Sequence, residues 1–140
     1  MIPAWVGGYI GLPFLARGRG ANGSYDCWGL LRHVLAEQRG IQLPSLADRY
    51  DSTLVKNAAQ MAQVIAHESA RAWLPVTAGH EETFDVIEMR INGHPMHVGL
   101  VVARGLMLHI EDGCESVIEN YHSAKWRHRV TGFWRYGTKG

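Results

Sequence analysis

Apolar positions recur with two different periods along this chain, and the change between them divides it. Leu30, Leu31, Val34 and Leu35 fall at helical spacing, Asp26 or Ser24 can cap the start, and Gly40 can close the end. The pattern predicts a helix over about 27–39, with Cys27 in its first turn. Leu43-Pro44 begins a connector, and a second helix is expected from about Thr53 to Ala72, with Leu54, Ala58, Met61 and Ile65 on one stripe. That stripe reads as scaffold. Further on the period shortens to two. Phe84 to Arg90, His97 to Val102, Leu106 to Glu111, Ser116 to Glu119 and Val130 to Tyr136 read as strands. The turn signals Asn92-Gly93, Arg104-Gly105 and Asp112-Gly113 separate them. Before the first helix, residues 3–26 carry six glycines and two prolines and read as irregular loop wrapped on a core. Helices first and strands after is the α+β arrangement, with the N-terminal helices packed on a central antiparallel sheet.

Length and composition narrow the classes. A chain of 140 residues suits one domain, here residues 1–140. A formal net charge of +1 gives no field for nucleic acid or an acidic membrane face. No window approaches the roughly 18 apolar residues of a membrane span, so no membrane insertion is expected. The N-terminus lacks a basic region followed by a long apolar core, so it does not read as a secretory signal. Synthesis in a cytoplasm follows, and with it reduced thiols: Cys27 and Cys114 are not expected to form a disulfide.

Cys27 then needs another explanation. A thiol is a good nucleophile as thiolate, and the first turn of a helix favours that form. An imidazole beside it adds further stabilisation, so alkylation of Cys27 near pH 6 is expected, with Cys114 the slower thiol. His97 and His109 are the candidate partners. A connection with an odd number of residues, centred on residue 103, sets residue 97 directly across from residue 109 on one face. One ring can then face Cys27 while the other orients it; a connection of even length would put them on opposite faces. The Cys27 amide with the Tyr25 hydroxyl could hold an oxyanion. His94, His97, His109 and Cys114 could in principle bind zinc, but no Cys-x-x-Cys or His-Glu-x-x-His spacing is present. No metal and no cofactor are expected.

The run Tyr25-Asp26-Cys27-Trp28-Gly29-Leu30-Leu31, the segment Phe84-Asp85-Val86-Ile87, the strand His97-Val98-Gly99-Leu100-Val101-Val102 and His109, twelve positions after His97, together resemble the NlpC-type peptidases. The resemblance implies a papain-like fold and cleavage of peptidoglycan stem peptides by Cys27, His97 and His109, with Asp26 and its neighbours at the substrate. Most cell-wall members carry Ser after the cysteine, where this chain has Trp28; Tyr25, Asp26 and Trp28 are therefore the candidate oxyanion and substrate residues. Tyr9-Ile10-Gly11-Leu12-Pro13-Phe14 and the ending from Tyr121 through Trp126, Arg129 and Gly132-Phe133-Trp134-Arg135-Tyr136 are similar to the branch encoded among phage and prophage tail genes. That branch implies a virion tail-tip component with tail proteins as partners.

The leading expectation is an endopeptidase that cuts the γ-D-glutamyl to diamino-acid bond. A structural tail-tip protein with little or no activity, and a thiol acyltransferase or amidase on the same scaffold, are the rivals.

Overall fold

The computed structural model describes residues 2–50 and 58–137. Two α-helices, α1 (Cys27–Arg39) and α2 (Ala58–Ala72), precede β1 (Trp73–Val76), β2 (Val86–Ile91), β3 (His94–Ala103), β4 (Leu106–His109), β5 (Val117–Asn120) and β6 (Val130–Tyr136). The strands form one antiparallel sheet in the order β1-β6-β2-β3-β4-β5. The α+β architecture expected from the sequence is the one observed. The start of the expected second helix, including Leu54, lies outside the described residues.

Local chemistry explains the ends of α1. The Asp26 carboxylate accepts the Gly29 N–H at 2.8 Å, which satisfies one of the first-turn amides that have no intrahelical acceptor. At the other end Gly40 takes the left-handed conformation (φ 64°) and its N–H returns to the Leu35 and Ala36 carbonyls. Leu30, Leu31, Val34 and Leu35 are buried against β3, in a cluster with Val98, Leu100, Val102 and Leu108. Close approach at the start of α1 depends on Gly29: a Cβ there would lie 2.0 Å from the Gly18 carbonyl oxygen. The glycine-rich N-terminal segment is thereby packed directly on the helix that carries Cys27.

That segment is also tied to the far edge of the sheet. Ser116, fully buried, donates from Oγ to the Tyr9 carbonyl at 2.6 Å and accepts the Leu12 N–H at 2.8 Å. The Gly11 and Ser116 amides add bonds to the Ser116 and Leu12 carbonyls. The loop is irregular, as its composition implies, but backbone hydrogen bonds such as these, and those of Leu15 and Gly20 to Tyr25 and Ser24, fix its course.

The turn between β3 and β4 differs from the expectation. Ala103 pairs with Leu106, so the connection is the even two-residue turn Arg104-Gly105. Alone it would put residues 97 and 109 on opposite faces. The register shifts between Val101 and Ala103, however, and past it Val101 pairs with Met107 and Leu100 with Leu108. The extra residue, Val102, is a bulge that restores the parity. His109 thus sits across from Gly99, diagonal to His97 instead of directly opposite it, and both rings share one face. The bare Gly99 gives this ring room: a Cβ there would come within 3.2 Å of the His109 Cβ. β1 has no counterpart in the sequence reading; its Trp73-Leu74-Pro75-Val76 continues without a turn from α2, so no boundary marks it.

Candidate active site

Cys27 opens α1 and lies on the helix side of the sheet, 2% exposed. Its sulfur accepts hydrogen bonds from the backbone N–H groups of Val98 and Trp28. The Val98 amide is available because the pairing of β3 with β4 ends at Leu100 and Leu108, leaving this stretch of β3 open on that side. The thiol therefore docks on the strand at the residue next to His97.

His97 is 4% exposed and lies on the other face, where its ring stacks on Trp126 with centroids 5.9 Å apart and planes 20° apart. Its Nε2 is 2.9 Å from Nδ1 of His109. Nδ1 is thus the His97 nitrogen left for a reacting partner. His109 meets the edge of Trp126 at 5.1 Å, and its own Nε2 is 2.8 Å from Oε2 of Glu119. Trp126 Nε1 donates to the same oxygen at 2.5 Å. The structure brings His97 and His109 together and adds two groups that the sequence reading did not assign, Glu119 and Trp126.

A signal for Glu119 was present. In β5 alternation puts residues 117 and 119 on the face of His109, and Leu108 pairs with Ile118. Glu119 is consequently a diagonal neighbour of His109, just as His97 is. Trp126 gave no such signal, since it lies in the turn-rich segment between β5 and β6 where periodicity is silent.

The remaining site candidates fall elsewhere. Asp26 is fully buried. Oδ1 accepts from Gly29 N–H and from Arg19 Nη1, each at 2.8 Å, and Oδ2 accepts from the Tyr50 hydroxyl. Arg19 Nη2 in turn donates to that hydroxyl at 2.5 Å. With a cation already paired to it, Asp26 serves as the cap of α1 and as an ion-pair partner. Tyr25 stacks on His33 at 4.8 Å, and its phenol is raised by burial and by the charge of Glu37 farther along α1. The Tyr25 ring is therefore packed against His33 on α1. Trp28 is buried and donates from Nε1 to the Pro44 carbonyl at 2.9 Å.

Electrostatics revise the expectation of a resting thiolate. Burial pushes the Cys27 thiol up to about 12, and the adjacent Asp26 charge adds to this. The favourable field of the helix start is offset by that carboxylate, which occupies the cap. Burial likewise brings His97 down to about 3, with His109 and Lys125 contributing. His109 is lowered by burial, against the pull of Glu119. The resting site holds a neutral thiol and neutral imidazoles. Iodoacetamide at pH 6 is accordingly expected to find Cys114, which is free and exposed, before Cys27.

These shifts set the pH dependence of stability. His97 is depressed from 6.5, so between about 6.5 and 3 the unfolded chain binds a proton that the folded chain does not. Stability is fully present above that window and falls as pH drops through it, by up to about 1.4 kcal/mol per pH unit. Cys27 acts in the opposite sense. Above 9.0 the unfolded thiol ionises while the folded one stays protonated to about 12, so stability falls again with rising pH. Thermal unfolding from pH 4 to 10 should show both limbs. His97→Gln should flatten the acid limb and Cys27→Ala the alkaline one.

Among the described residues, one group of three presents metal-type ligand atoms within 4.8 Å of one another: His109, Glu111 and Glu119. Lys125 Nζ already lies 3.4 Å from Glu111 and 3.8 Å from Glu119, so an ammonium serves those carboxylates. The zinc set weighed from sequence, which drew on His94 and Cys114, is not gathered there.

No curated protein matches the chain. Solved structures do. A protein similar to lipoprotein, NLP/P60 family, from Staphylococcus aureus has TM-score 0.65 and 20% identity over 94% of this chain and 39% of its own. An NlpC/P60 family protein from Bacillus cereus has TM-score 0.66 and 19% identity over 99% of this chain and 42% of its own. This chain thus spans about two fifths of each. The NlpC/p60 domain of peptidoglycan hydrolase SagA has TM-score 0.60 and 18% identity, with 94% of this chain and 93% of that domain covered. At these identities the likeness concerns the fold, which is that of the NlpC/P60 papain-like proteins. The model of the NlpC/P60 family itself matches residues 11–135, which include Cys27, His97, His109 and Glu119, and the chain belongs to that family.

Proposed function

We propose that this protein is a cysteine peptidase that hydrolyses stem peptides of bacterial peptidoglycan, at the γ-D-glutamyl to diamino-acid bond. The observation that carries the reading is a buried cysteine at a helix start whose sulfur meets the Val98 amide, one residue along β3 from a histidine held through Nε2 with Nδ1 left free. The peptidoglycan hydrolase SagA, whose domain shares the fold, supports the substrate class.

In this reading Cys27 and His97, which flank β3 at neighbouring residues, come within hydrogen-bond reach in the substrate complex, and the thiol proton passes to His97 Nδ1 as the Cys27 sulfur attacks the scissile carbonyl carbon. The electron pair of the carbonyl moves to oxygen, and the Cys27 N–H, a first-turn amide, can donate to that oxyanion. Collapse breaks the C–N bond, and His97 returns the proton to the departing amine. Water, deprotonated by His97, then attacks the thioester, releasing the acid and regenerating the thiol. Because both groups are neutral at rest, proton transfer is coupled to attack and no preformed ion pair is needed.

The setting belongs to the proposal too: a phage tail tip, with tail proteins as partners, supported by the resemblance of the Tyr9–Phe14 run and the C-terminal ending. Digestion of purified peptidoglycan tests the activity. Mass spectrometry should find fragments ending in D-glutamate through its γ-carboxyl, with a new amine on the diamino acid. Intact stems after prolonged incubation would overturn the reading and favour a structural role.

A further inference from the structure

Two hydrogen bonds run in series from Glu119 at the sheet edge to His97, and a third joins Trp126 to the same carboxylate. Glu119 Oε2 faces His109 Nε2 at 2.8 Å, and His109 Nδ1 faces His97 Nε2 at 2.9 Å. Trp126 Nε1 donates to that same carboxylate oxygen at 2.5 Å, while its ring stacks on His97 and meets His109 edge-on. The direction of such a chain is not arbitrary. An ionised carboxylate can only accept, and a neutral imidazole carries one N–H.

We propose that Glu119 is a positioning residue which, acting through His109, fixes the tautomer of His97 so that the unprotonated nitrogen is Nδ1. A carboxylate at Oε2 requires the His109 proton on Nε2. His109 Nδ1 is then an acceptor, so the His97 proton must lie on Nε2, and the lone pair is left on Nδ1. Without the carboxylate the series can run in reverse, with the His97 proton on Nδ1, and a base in that form has no lone pair to offer there. The charge state of Glu119 agrees with this role. Burial raises its carboxyl, but hydrogen bonds from His109 and Trp126 more than offset that and hold it below the usual range. The wiring also survives the reaction cycle: a proton arriving at His97 Nδ1 leaves the Nε2–H bond to His109 in place, so no other hydrogen has to move.

Trp126 adds direction. Its N–H needs an acceptor at the position of Oε2, so in Glu119→Gln the amide oxygen is held toward both Trp126 and His109, and the series keeps its sense. Glu119→Leu removes the acceptor altogether. These two variants separate a wiring role from mere packing.

The inference rests on His97 as the base, and a measurement on the resting protein distinguishes its failure from failure of that reading. The full chain, labelled with 15N-histidine, is examined at pH 7 by long-range proton–nitrogen correlation, with signals assigned from single histidine replacements. The wild type should show protonated Nε2 and bare Nδ1 on both His97 and His109. Glu119→Gln should keep that pattern, with less than about a tenfold loss in kcat/KM. Glu119→Leu should mix or invert the His97 tautomers and lower kcat by roughly 10–100-fold with KM little changed. If Glu119→Leu does not fold, the wild-type and Glu119→Gln spectra decide. A wild-type His97 protonated on Nδ1, or an unchanged His97 tautomer in Glu119→Leu, would overturn the proposal. Correct tautomers in a protein that never cleaves peptidoglycan would leave the wiring standing and remove the peptidase reading instead.

Discussion

Cys27→Ala and His97→Gln are each expected to reduce peptidoglycan cleavage by roughly four orders of magnitude or more, and the double variant is expected to lose no more than either alone. The reason is that the two groups perform one step. Without the sulfur there is nothing to attack the carbonyl, and without His97 Nδ1 a thiol held at about 12 by burial has no route to lose its proton. Once one is gone the other has no task, so their effects cannot multiply. Glutamine is the better replacement for His97 because it fills more of the space beneath Trp126, a fully buried ring that stacks on the imidazole. Rates of fragment release, with thermal unfolding alongside to show that both variants fold, give the comparison. Losses that multiply in the double variant would mean that the two residues act in separate steps.

Asp26→Ala is expected to produce the largest loss of stability, about 3–5 kcal/mol, because it strips a buried ion pair of one member. The carboxylate is the shared acceptor for Arg19, the Gly29 amide and the Tyr50 hydroxyl. Removing it leaves the Arg19 guanidinium, 14% exposed, without its counter-charge, and leaves α1 without its cap. For a chain of this size a fall of roughly 10–20 °C in Tm follows. Asp26→Asn keeps an oxygen for the Gly29 amide and should lose less. The same variants report on activity, since α1 sets the position of Cys27. If Asp26→Ala unfolds at the wild-type temperature, the carboxylate does not hold the start of α1 in the way described.

How much of this was legible in the sequence differs between elements for physical reasons. α1 was legible because its apolar spacing, its acidic cap and its terminal glycine all agree, and all are local. The facing of His97 and His109 was anticipated, but by a register that does not occur. A one-residue bulge at Val102 compensates an even turn, and nothing local in Ala103-Arg104-Gly105 announces it. The ion pair of Arg19 with Asp26, and its link to Tyr50, join residues 7 and 24 positions apart from the cap through an irregular loop, where no periodicity applies. The ionisation of the thiol reads differently in the structure because a helix start is visible in sequence and burial is not. The helix favours thiolate, but enclosure at 2% exposure and the neighbouring Asp26 outweigh it.

The central claim, that Cys27 is the nucleophile, has a direct test in the covalent intermediate. Wild-type protein mixed with stem peptide and quenched in acid within the first turnovers should gain the mass of the acyl portion of the substrate. Peptide mapping should place that mass on Cys27 as a thioester, with exposed Cys114 unmodified and no adduct in Cys27→Ala. An adduct on Cys114, or undiminished cleavage by Cys27→Ala, would contradict the account.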